Sequence, residues 1–157
     1  MWSWERILYN ALAGGGQTAG PGLHPAGNPC SIAAMNPLPS RNVLGGPLKA
    51  CSTAPVTGYF RNGACDTCAE DEGCHTVCVE MTEEFLAYSR ATGNDLSTPR
   101  PEYDFPGLSP GDRWCVCAAR WLAAEADGAA APVALGATHE RTLEIVPLAV
   151  LQKHATA

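Results

Sequence analysis

Hydrophobic and polar positions change period several times along the chain, and each change predicts an element. Trp4, Ile7, Leu8 and Leu12 recur at helical spacing, which predicts a short amphipathic turn or two. Gly14 to Gly22 and Pro25 to Pro29 then punctuate the chain too often for packed structure. Residues 1–34 therefore read as a disordered leader, with Met35 a candidate true start. Residues 35–157 read as a single cysteine-rich domain, with structure from about Arg41 onward.

Within that domain, Asn42 to Pro47 predicts a short extended entry closed by a turn, and Thr57 to Gly63 a brief strand ending in Asn62-Gly63. Asp66 to Gly73 is acidic and turn-like. Thr76 to Met81 alternates and is rich in Val, which predicts a strand. Thr82 is placed to cap a helix with Glu83 and Glu84 in its first turn, and Gly93 to end it in a left-handed conformation. Phe85, Leu86 and Tyr88 would form its buried face. Asn94 to Gly111 holds four prolines and predicts a long proline-rich loop. Asp95, Ser97 and Thr98 in that loop read as local turn caps rather than substrate contacts.

Asp112 to Ala118 resumes as a strand, and its period of two puts Cys115 and Cys117 on one face, Trp114 and Val116 on the other. A helix follows over Ala119 to Ala126, stopped by Asp127-Gly128 and burying Trp121 and Leu122. Pro132 to Leu135 predicts a strand, Thr138 to Glu144 a helical turn, and Pro147 opens a last helix with Leu148 and Leu151. The order of these elements is that of a small α+β domain of short strands and short helices.

Composition narrows the partners. The formal net charge is −6 without a Lys/Arg cluster, so the chain lacks the electrostatic footprint that phosphate backbones or anionic membranes select. Its N-terminus has no basic region followed by an apolar run, which argues against a secretory signal and for a cytoplasmic protein. In a reducing compartment, eight cysteines more often bind metal or do chemistry than form structural disulfides.

The candidate chemistry is sulfur. Cys65, Cys68, Cys74 and Cys78 crowd one stretch with His75, and Cys115-Val-Cys117 lies downstream. Zinc takes four thiolate or imidazole ligands in a tetrahedron. Cys65-x-x-Cys68 with Cys115 and Cys117 supplies four thiols, with His75 and either Cys74 or Cys78 as alternative partners. Three other readings compete: buried cysteines acting as small hydrophobes, a thiol redox or transferase site on Cys78 or Cys115, and a Cys78–His75 nucleophilic pair. The pair is disfavoured because an odd separation on a strand points the two to opposite faces. The acidic neighbours Asp66, Glu70, Asp71 and Glu72 disfavour a reactive thiolate at Cys65. His139 reads as a surface residue of a first helical turn.

Several longer motifs carry a resemblance: Asn42-Val-Leu-Gly45, Cys51-Ser-Thr, His75-Thr-Val-Cys78, Gly93-Asn-Asp-Leu-Ser-Thr-Pro-Arg-Pro-Glu-Tyr103, Pro110-Gly-Asp-Arg-Trp-Cys-Val-Cys-Ala118 and Ala137-Thr-His-Glu140. Together they resemble the bacterial family called domain of unknown function 2237, over Asn42 to Ala155. The family pattern implies cysteines at Cys51, Cys65, Cys78, Cys115 and Cys117 and histidines at His75 and His139, with other residue types usual at Cys68 and Cys74. The resemblance thus moves the expected ligand set to Cys65, His75, Cys78, Cys115 and Cys117, with zinc the expected ion. The alternatives are a thiol-based redox or transferase enzyme and a non-catalytic interaction module with buried structural cysteines.

Overall fold

The computed structural model describes residues 40–156. The predicted leader and the proposed start at Met35 lie outside them. At the centre, strand β1 (His75–Glu80) pairs antiparallel with β2 (Arg113–Cys117). Helix α1 (Glu83–Ala91) follows β1, and α2 (Ala118–Ala126) begins directly where β2 ends. 3-10 turns at Leu135–Ala137 and Glu140–Glu144 lead to α3 (Leu148–Lys153). Within residues 40–156, three α-helices on a two-stranded sheet make a small α+β fold. Among the described residues no helix is long and apolar enough to cross a membrane.

A two-stranded hairpin is marginal by itself, so its faces and edges must be covered. One face is apolar: Val77, Val79 and Val116 pack with Phe85 and Leu86 from α1, Trp121 and Ala124 from α2, and Leu151 from α3. Trp121 is wholly buried and satisfies its one polar atom by donating from Nε1 to the Ala131 carbonyl at 2.9 Å. Leu96, Phe105 and Leu108 join this core from the segment between α1 and β2. Arg100 bridges Phe105 there around a 3-10 turn at Pro101–Tyr103, and Asp95 caps the amides of Ser97 and Thr98.

The helix signals work as their chemistry dictates. Thr82 Oγ1 accepts from the Phe85 amide at 3.1 Å, and Gly93 and Gly128 follow α1 and α2 at φ 84° and 76°. Two strand expectations fail. Thr57 to Gly63 folds as turns, because Gly58 sits at φ +99° with the place of a Cβ only 2.1 Å from the Ala64 carbonyl oxygen. Pro132 to Leu135 reaches only isolated bridges, Val133 with Val79 and with Ala155, before the 3-10 turn cuts it short. It still covers the outer edge of β1, where Glu80 donates to Pro132 and Ala134 to Cys78.

Candidate functional site

The second face of the hairpin carries the sulfur. Cys78 lies opposite Cys115 in the ladder. Their amides turn away from each other and are taken by hydroxyls, Thr138 Oγ1 for Cys78 at 3.2 Å and Thr57 Oγ1 for Cys115 at 2.9 Å. That is the arrangement of a non-hydrogen-bonded antiparallel pair, in which side chains stand closer together. Each cysteine is joined to one from the irregular segment before β1. Cys51 bonds Cys78 at 2.02 Å and Cys65 bonds Cys115 at 1.96 Å, with Cα separations of 5.7 and 5.3 Å. The two disulfides form a buried cluster covered by Ala134 and Ala137. The sulfurs of Cys51, Cys65 and Cys78 all lie within 4.8 Å of one another.

Two rungs along the ladder, His75 lies opposite Cys117. The register shifts between His75 and Val77, so His75 and Cys78, three apart, face Cys117 and Cys115, two apart. This bulge corrects the expectation that His75 and Cys78 occupy opposite faces. Cys117 is a free, half-buried thiol, and it is also the N-cap of α2. The His75 imidazole is fixed from behind. Asp71, whose side chain has no exposure, accepts from His75 Nδ1 at 2.6 Å and, through its other oxygen, from the His75 amide and from Thr67 Oγ1, both at 2.9 Å. Burial pushes the Asp71 carboxyl up, but these hydrogen bonds outweigh burial and hold it below the usual carboxylate range. The ring also lies across Gly73, where a Cβ would meet its Cε1 at 2.2 Å.

Among the expected ligands, then, Cys65, Cys78 and Cys115 converge in the cluster, while His75 and Cys117 sit together beside it. Cys51 completes the cluster. Its place was legible only through the family pattern, since its partner is 27 residues away and no local spacing reveals it. Asp71 carries a signal that was available, the i,i+4 spacing to His75. Cys68 also carries a disulfide, and Cys74 is a buried free thiol 3.5 Å from Thr76 Oγ1. Burial pushes the Cys74 thiol up. His139 is buried rather than exposed: its Nδ1 accepts from the Arg141 amide at 3.0 Å, capping the Glu140–Glu144 turn, and burial lowers its pKa.

Thiolates are soft donors that zinc prefers, but in the oxidised cluster these sulfurs are already bonded to sulfur. Any metal chemistry there requires prior reduction. Comparison with curated proteins finds no significant match. The model of a family described as an uncharacterized protein conserved in bacteria, DUF2237, matches residues 41–155, so the chain belongs to the family DUF2237.

Proposed function

We propose that the sulfur cluster is a redox-controlled metal site, holding two disulfides when oxidised and binding zinc through Cys51, Cys65 and Cys78 when reduced. The observation that supports this is the convergence of three sulfurs, drawn from both disulfides, within 4.8 Å of one another. Zinc–sulfur bonds of about 2.3 Å set a tetrahedral sulfur–sulfur edge of roughly 3.8 Å; on reduction Cys51 and Cys78, bonded at 2.02 Å, open toward that edge, and Cys65 already lies within 4.8 Å of both. Three protein thiolates leave one zinc position to a further donor.

The chemistry balances with a dithiol reductant. Each disulfide takes two electrons and two protons from one dithiol, which becomes a disulfide, and zinc then displaces the protons of the thiols it binds. In the reducing cytoplasm that the sequence leads one to expect, the thiol form is favoured and zinc competes with reoxidation. The test is elemental analysis after dialysis against micromolar zinc, done on oxidised protein and on anaerobic, dithiol-reduced protein. One zinc per chain is expected in the reduced sample alone, and none after Cys51→Ala. Fully reduced protein that takes up no zinc overturns the reading and leaves the cluster as a pair of structural cross-links.

A further inference from the structure

The sulfur cluster does not use Cys117, His75 or Asp71, and these three are arranged in a way that packing alone does not require. We infer that Cys117, His75 and Asp71 form a nucleophilic site for acyl transfer from small activated acyl esters or thioesters. Cys117 is the attacking atom, His75 its base and Asp71 the residue that positions the base. The ladder pairs the backbone positions of Cys117 and His75 across the strands, and directly paired residues have Cβ atoms roughly 5 Å apart, within reach of a thiol and an imidazole. Asp71 takes the Nδ1–H of His75, which leaves the lone pair on Nε2. Among the described residues Nε2 has no hydrogen-bond partner.

The surroundings fit the same chemistry. Cys117 stands at the N-terminus of a nine-residue helix that has no side-chain cap. The Ala118 amide is spent on the Cys74 carbonyl at 3.1 Å, whereas the amides of Ala119 and Arg120 open the helix beside the thiol. Donors in that position stabilise the negative oxygen of a tetrahedral intermediate. Gly73 is matched to the task too, because only a residue without a Cβ lets the imidazole lie where it does.

The step is redox-neutral. The Cys117 thiol proton passes to His75 Nε2 as sulfur attacks the acyl carbon. The carbon–leaving-group bond breaks, and the leaving group departs with the proton from Nε2. Water then attacks the acyl-cysteine, gives its proton to His75, and the carbon–sulfur bond breaks to restore the thiol and release a carboxylic acid.

The experiment uses the full chain with its disulfides intact and a chelator present, so that its outcome is independent of the zinc reading. The probe is 4-nitrophenyl acetate, followed by nitrophenolate release and by peptide mapping of the acetyl group. A burst of one equivalent with acetyl on Cys117 is expected. The burst disappears in Cys117→Ala, slows by roughly 10²-fold or more in His75→Gln, and is unchanged in Cys74→Ala, whose thiol is buried. Asp71→Asn should lower kcat with KM unmoved, the signature of a misplaced base rather than a damaged binding surface. Acetyl found elsewhere, or His75→Gln acetylated at Cys117 as fast as wild type, overturns the inference.

Discussion

Removing the disulfides one at a time tests whether the cluster holds the irregular half of the molecule to the hairpin. Cys51→Ala/Cys78→Ala opens a loop of 27 residues, and Cys65→Ala/Cys115→Ala opens one of 50. Chain entropy in the unfolded state puts the losses at about 3.6 and about 4.1 kcal/mol respectively. The gap between them, about 0.5 kcal/mol, is smaller than the packing loss from deleting two buried sulfurs, so loop length does not decide the ranking. Either loss is a large part of the ~5–15 kcal/mol that holds a small domain together. Alanine is the right replacement, because serine would bury a hydroxyl in an apolar cluster and add its own penalty. Urea unfolding followed by tryptophan fluorescence gives both the midpoint and the slope. The midpoint should fall and the slope rise as the unfolded chain, freed of a cross-link, exposes more surface. If both paired variants lose less than about 1 kcal/mol with unchanged slope, the segment 40–74 is held by something other than these bonds.

Two further outcomes concern the Asp71–His75 pair. Gly73→Ala places a methyl 2.2 Å from His75 Cε1, so the ring must leave Asp71; a loss of about 1–3 kcal/mol in urea unfolding is expected, with acetylation of Cys117 slowed in parallel. Asp71 has a folded pKa below the usual carboxylate value, so it adds stability above that usual value which disappears as pH falls through the lower folded one. Unfolding free energies measured from pH 6 to pH 2.5 should therefore fall less steeply in Asp71→Asn than in wild type, and equal slopes would remove the pair from the acid response.

How much of this was legible in the sequence depends on how local each cause is. Thr82, Gly93 and Gly128 act within one turn, through a hydroxyl or a missing Cβ, and α1 and α2 end where those residues say they must. The alternation Trp114-Cys-Val-Cys117 likewise sorted sulfur from core, because β2 is regular throughout. Thr57 to Gly63 misled because a Tyr-Phe pair satisfies strand preference while Gly58 and Gly63 dictate a turn. The bulge beside Thr76 is the costlier case. It has no sequence signal of its own, yet it reverses the face of His75 and so changes which thiol the imidazole meets. Counting residues from Cys78 disfavoured a His75–Cys78 pair; the register instead pairs His75 with Cys117.

The same bulge explains why one group of cysteine and histidine residues divides into two chemistries. Before the shift, the non-hydrogen-bonded rung Cys78–Cys115 receives Cys51 and Cys65 from outside the hairpin and becomes a dry, four-sulfur cluster. After it, the rung His75–Cys117 lies at the end of β2, where the chain turns at once into α2 and leaves the thiol partly open. A buried sulfur pair surrounded by alanine is poorly placed to meet an ester but well placed to keep a bond or an ion from water. A half-exposed thiol at a helix start, facing an imidazole anchored by a buried carboxylate, has the opposite aptitude. The family pattern groups Cys65, His75, Cys78, Cys115 and Cys117 as one ligand set, whereas burial and register separate them by a single residue inserted into β1.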